Sequence, residues 1–223
     1  MTVLNHAQPI TCNEHRAVLD KSKCHKGCDI SGVGALACLR HGCYTPGGFV
    51  NFQKGERQMN MDYALCESIK HSNMDGIPGV ILAYDINCQY SINLSRRIAA
   101  GPFLDFPAGL PLLPAIGLFH VHGHQDQCYA RYAPTFVQGI GKVDGEILET
   151  NWSVLNGISP MTRTMTLAHR TEVMDAHIAD NNWKKMVNMG KINEIYTALA
   201  HPQHLKFQRH LCVPNGGKYA KPA

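Results

Sequence analysis

The segment Val80-Ile81-Leu82-Ala83-Tyr84-Asp85 constrains the fold of this chain more than any other stretch. Its aliphatic run, bounded by Gly76, Pro78 and Gly79, reads as a strand buried on both faces. A carboxylate ending such a strand is costly to desolvate unless it sits at the sheet edge, where a cation or donor can meet it. Two readings of Asp85 follow from position alone. Either it holds a metal ion or a reacting group, or it caps the next helix, since Asp is a preferred N-cap residue.

Composition narrows the class. A chain of 223 residues can bury a sizeable core in one large domain, and 17% charged residues against 44% hydrophobic ones exclude a disordered chain. The formal charge of +4 permits nucleic-acid binding without arguing for it. No apolar run approaches the roughly 18–20 residues that span a bilayer, so no membrane partner is expected. The start Met1-Thr2-Val3-Leu4-Asn5-His6 lacks a basic segment followed by an apolar core, so no secretory signal is visible. Nine cysteines among thirteen histidines fit a reduced intracellular protein better than a disulfide scaffold.

Along the chain, residues 1–30 form a polar segment carrying Cys12, His15, Cys24, His25 and Cys28. The Cys24-x3-Cys28 spacing is allowed for zinc, and Cys38, His41 and Cys43 could complete a site; free thiols are the alternative. A strand is expected within 30–43, a turn at Tyr44-Thr45-Pro46-Gly47-Gly48, a strand at 49–52 and a helix over 59–71. After the Asp85 strand come a short helix through Leu94 and Ile98, a Pro/Gly-rich loop from 101 to 114, and a buried strand over 112–121. A helix begins near Asp144, and an amphipathic helix spans 165–189, broken by Gly190. The polar remainder, ending in Pro214-Asn215-Gly216-Gly217, reads as frayed. Interleaved strands and helices give an α/β domain over 31–189, flanked by the 1–30 segment and a divergent 190–223 tail.

Three constellations could carry chemistry. His120-x-His122-x-His124-x3-Cys128 follows a strand, where alternate residues share a face and imidazoles can converge on one ion. Cys88 could reach the same place, and imidazole with thiolate suits Zn²⁺. His124 and Cys128 are the stronger ligands of the group, whereas His120, abutting the strand, is expected to be packed. Asp144-Gly-Glu146-Ile-Leu-Glu149 places two acids on neighbouring helix faces, with Asp144 as the cap. Glu146 and Glu149 either serve as ordinary first-turn acids or join Asp85 in a cage for Mg²⁺ or Mn²⁺. In Gln53-Lys54-Gly55-Glu56-Arg57-Gln58-Met59-Asn60-Met61-Asp62-Tyr63, Lys54, Arg57 and Asn60 could contact phosphates and Asp62 could add a carboxylate. The bland alternative is a charged turn before a helix capped by Asn60.

In this order, Arg40-His41-Gly42-Cys43, the Phe52-to-Tyr63 stretch, Tyr84-Asp85-Ile-Asn-Cys88-Gln89, Phe119-His-Val-His-Gly-His124-Gln-Asp-Gln-Cys128 and Asp144-Gly-Glu146 to Trp152-Ser153 resemble the Kyakuja–Dileera–Zisupton (KDZ) transposases, a fungal group. The likeness covers roughly residues 10–189. It implies a ribonuclease-H-like, retroviral-integrase-type mixed sheet with flanking helices, and a DDE site for DNA cleavage and joining with Mg²⁺ or Mn²⁺. Asp85 is similar to the second Asp of that site. Glu149, within Glu149-Thr-Asn-Trp152-Ser153, is similar to its Glu, with Glu146 the next choice. The Cys/His cluster falls where related transposases carry such a signature. The implied partners are transposon ends and target DNA, with self-assembly on paired ends, and the implied compartment is the nucleus. The family's first Asp lies in an Asp-x-Asn-Phe-like motif that residues 1–30 do not contain, since Asp20 and Asp29 lack that context. That departure implies a fold incomplete at the N-terminus, from a decayed, truncated or misjoined element, with impaired two-metal catalysis. Two other readings stand beside the transposase: a non-catalytic zinc module on DNA or chromatin, and a zinc hydrolase using His120, His122 and His124.

Overall fold

Cys12 and residues 29–199 are the part of the chain that the computed structural model describes. The Cys24-x3-Cys28 pair, His15, His25, Asp20 and the 200–223 tail lie outside it. Strand β1 (Gly32–Ala37) pairs antiparallel with β2 (Tyr44–Phe52). The expected turn at 44–48 is a bulge within β2. Ala35 pairs with Phe49 but Ala37 pairs with Tyr44, so residues 45–48 leave the ladder without ending the strand. Thr45 Oγ1 fastens the bulge by donating to Leu36 O at 3.2 Å, and it lies 2.8 Å from Ser68 Oγ.

Helix α1 (Gln58–His71) covers this hairpin, close to the expected 59–71. Its N-cap position is Arg57, not Asn60, which lies inside the first turn. Leu65 and Ile69 from α1 join Ile86, Tyr90 and Leu94 in one core, with Leu36, Val80, Leu82 and Leu112 packed against it. Apolar residues at i and i+4 on one helix face account for this burial.

Strand β3 (Val80–Ala83) runs parallel to β4 (Leu112–Ala115), Val80 opposite Leu112 and Ala83 opposite Ala115. All four β3 residues are half-buried rather than enclosed, because among the described residues this sheet has two strands and Pro114 lines the partner. Beyond Ala83 the Tyr84 N–H still donates to Ala115 O at 3.0 Å. Asn87, fully buried, donates its amide N–H to Leu82 O at 2.6 Å and to Ala115 O at 3.0 Å, clamping both strand ends. Asp85 therefore caps a braced edge. Next to it, Ile86 enters the first core and Cys88 enters a second, made with Cys12, Ile116, Val121 and Ala133.

The helix after Asp85 is split into α2 (Asn87–Tyr90), a 3-10 turn (Ser91–Asn93) and α3 (Leu94–Ala100). The strand expected over 112–121 stops at Ala115, and the chain re-forms as α4 (Leu118–Val121) and α5 (Asp126–Tyr132). Helix α6 (Ile147–Leu155) has Glu146 at its N-cap; Asp144, expected there, instead accepts the Glu146 N–H through Oδ1 at 3.1 Å. A single turn, α7 (Ser159–Thr162), precedes α8 (Leu167–Leu199), which passes through Gly190 without a break. The expected amphipathic stripe on α8 is not what seats it. Met174 and Asn181 are buried, whereas Trp183, Met186 and Val187 are exposed. Polar contacts fasten it instead: Asn182 brackets the Tyr44 backbone N–H and C=O at 2.7 and 3.0 Å, and Arg170 Nη1 donates to Asn51 at 2.7 Å.

Candidate functional site

Asp85 stands at the β3 edge with its side chain 47% exposed. Partial burial pushes its carboxyl above the ordinary carboxylate range. His120 pulls it back down, while the nearby acids Glu146, Glu149 and Glu56 push it up. Three other acids thus act on Asp85 at this strand end, although among the described residues no three of these carboxylates bring ligand atoms within 4.8 Å of one another. Asp85 itself is no helix cap: the N-cap position of α2 is Ile86.

His120, expected to be merely packed, joins this group. Its Nε2 lies 3.4 Å from Asp85 Oδ2 and its Nδ1 lies 2.8 Å from Glu146 Oε2. Glu149 sits one turn beyond Glu146 on α6 and is exposed. On its far side α6 is anchored by Asn151, about 200° around the helix from Glu149. Asn151 is fully buried; it donates to Gly42 O at 2.8 Å and meets Lys185 Nζ, which also reaches Gly42 O at 2.8 Å.

A second site assembles behind the first. The ligand atoms of Cys12, Cys88, His124 and Cys128 all lie within 4.8 Å of one another. Cys12 Sγ is 3.5 Å from Cys128 Sγ, and Cys88 Sγ is 3.4 Å from His124 Nδ1. Ligands about 2.0–2.3 Å from a tetrahedral ion stand roughly 3.5–3.8 Å apart, so the spacing and donor chemistry fit Zn²⁺. These four side chains could hold it. Burial, with Cys12 and Cys128 close by, pushes the Cys88 thiol well up, and burial also raises Cys128. Gln89 donates its amide to Cys12 O and secures the N-terminal ligand.

The three imidazoles do not share an ion. Residues 118–121 are helical, so a spacing of two turns side chains apart rather than onto one face. His120 goes to the carboxylates and His124 to the thiols. His122 is exposed and its ring lies 5.1 Å from that of Tyr129. The three-histidine hydrolase loses its geometry. Cys12, the fourth member of the group, carried no local motif. Cys38 Sγ does lie 3.5 Å from His41 Nδ1, but no second group of three donors forms among the described residues.

The basic turn before α1 is tied to the same edge. Tyr84 donates its phenol O–H to Glu56, and burial together with that carboxylate raises the phenol's pKa, keeping it a donor. Lys54 and Arg57 flank Glu56 and are exposed; Asn60 is half-buried with its amide nitrogen enclosed. Asp62 is not a further member of the carboxylate group. It is 1% exposed and accepts from Arg97 Nε at 2.7 Å and Nη2 at 2.9 Å. Arg97 also lies 4.8 Å from the centre of the Tyr90 ring.

A family model described as Kyakuja-Dileera-Zisupton transposase matches residues 2–182. No curated protein and no solved structure matches the chain.

Proposed function

The chain belongs to the Kyakuja-Dileera-Zisupton transposase family, and from that premise we propose that it is the DNA-cleaving and joining domain of a DDE-type transposase, or a remnant of one. The observation that carries this reading is that Glu146 and Glu149 both act on Asp85 at one strand edge, where burial first and these acids next hold its carboxyl above the ordinary range. Asp85 and Glu149 are the divalent-ion ligands in this proposal. Mg²⁺ or Mn²⁺ there would supply activation of the attacking oxygen and stabilisation of the leaving one.

The order hairpin, helix, parallel strand pair, later helix with an acid supports a ribonuclease-H-like arrangement in which β3, followed by Asp85, takes the place of that fold's fourth strand. Lys54 and Arg57 stand beside that edge to neutralise phosphates, with Asn60 behind them. DNA ends and target are the partners, the nucleus is the compartment, and assembly on paired ends brings copies together. Among the described residues no helix is long and apolar enough to cross a membrane.

The experiment is nicking of supercoiled DNA in Mg²⁺ or Mn²⁺ by the purified chain, alongside Asp85→Asn and Glu149→Gln. Residues 1–30 offer no Asp-x-Asn-Phe motif, so weak nicking is expected, and that weak activity should disappear in both variants. Nicking that survives Asp85→Asn overturns the assignment.

The Cys12/Cys88/His124/Cys128 group favours a second reading, a zinc-stabilised DNA-binding domain without chemistry. Bound zinc and DNA retention with no nicking at all, even at high Mn²⁺, supports that reading over the first.

A further inference from the structure

We infer that Glu146 is a positioning residue rather than a metal ligand: with Gly117, Gly145 and His120 it forms a latch that sets Glu149 against the Asp85 edge. What is latched rests on the reading of Asp85 and Glu149 above; the latch itself does not.

The Glu146 carboxylate is already engaged. Oε1 accepts the Phe119 N–H at 3.0 Å and the His120 N–H at 3.4 Å, while Oε2 lies 2.8 Å from His120 Nδ1. An ionised carboxylate offers about four acceptor positions, and three are used by one short segment. Leu118 N–H adds a fourth tie by donating to Asp144 O at 2.7 Å. Residues 144–146 and 117–120 are thereby zipped together, and His120 Nε2 carries the contact on to Asp85 at 3.4 Å.

Two glycines make room for this. A Cβ on Gly117 would lie 2.1 Å from Glu146 Oε1, so any side chain there would expel the carboxylate. A Cβ on Gly145 would lie 2.8 Å from Gly117 Cα, and its φ of +84° is one that only glycine adopts freely. Asp144-Gly145-Glu146 is therefore a docking piece whose every residue touches 117–120. Glu149, one turn along and exposed, is the acid left to meet a cation.

Melting temperature and Mn²⁺ calorimetry on Gly117→Ala, Glu146→Ala, Glu146→Gln and Glu149→Gln test the inference. Glutamine keeps an oxygen for both backbone N–H groups and an N–H for the other His120 tautomer, so it should rescue what alanine loses. Gly117→Ala and Glu146→Ala should lower the melting temperature by about 2–4 °C or more and weaken Mn²⁺ binding roughly tenfold. Glu149→Gln should melt like the wild type and lose Mn²⁺ binding. Glu146→Gln weakening Mn²⁺ as strongly as Glu149→Gln, with normal melting, makes Glu146 a ligand and overturns the inference. Wild-type melting in Glu146→Ala overturns it as well. A wild-type chain that binds no Mn²⁺ sinks the metal reading of Asp85, while the melting series still decides the latch.

Discussion

Cys12 and Cys128 stand 116 residues apart in sequence, and their sulfurs lie 3.5 Å from each other. A metal bridging them would close a long loop of chain, where removing unfolded-state freedom has most effect. Replacing Cys12 or Cys128 with serine should abolish one tightly held zinc per chain and lower the melting temperature. Metal analysis of purified protein beside a thermal scan checks both.

Zinc loading should also fall with acid. Burial pushes the Cys88 and Cys128 thiols up, so an ion must displace protons from both. More protons released per ion means weaker binding as pH drops. Competition with a chromogenic chelator should give markedly weaker affinity near pH 6 than near pH 8; equal affinities would mean that the thiols are not the ligands.

Asp62→Ala should destabilise the chain by about 3–5 kcal/mol, the range for breaking a buried ion pair from one side. The loss is structural: Arg97 would be left against the Tyr90 ring and carbonyl without its carboxylate. Urea denaturation measures it, and a change below about 1 kcal/mol would place Asp62 outside the stabilising core.

Lys54→Ala and Arg57→Ala should weaken DNA binding without shifting the melting temperature, since both side chains are exposed. Each should reduce the dependence of log affinity on log salt by about one. Filter binding across a salt series reads this directly, and unchanged slopes would move the DNA path elsewhere.

Local signals were legible in the sequence, and distant pairings were not. The aliphatic run before Asp85 and the apolar spacing of 59–71 declared a strand and a helix, found at Val80–Ala83 and Gln58–His71. Cys88, His124 and Cys128 stood out by residue type. Cys12 did not, because its partners lie 76 and 116 residues away and no local spacing encodes them. By sequence Leu118–Val121 looks like the end of a buried strand, which would pack His120; a helical turn there sends it to the acids instead. The glycine- and proline-rich 44–48 segment announced a turn, yet Thr45 stitches it into β2 as a bulge. Asp62 could be a ligand by sequence, and only packing brings Arg97 onto it.

The most direct measurement replaces Mg²⁺ with Fe²⁺ and adds ascorbate and peroxide, so that radicals cut the protein backbone beside the bound ion. Cuts next to Asp85 and within residues 146–149, suppressed by excess Mg²⁺ and lost in Asp85→Asn, are expected. Cuts confined to the neighbourhood of Cys12, Cys88 and Cys128, or cuts at Asp85 that Mg²⁺ does not suppress, would contradict a divalent-ion site at this strand edge.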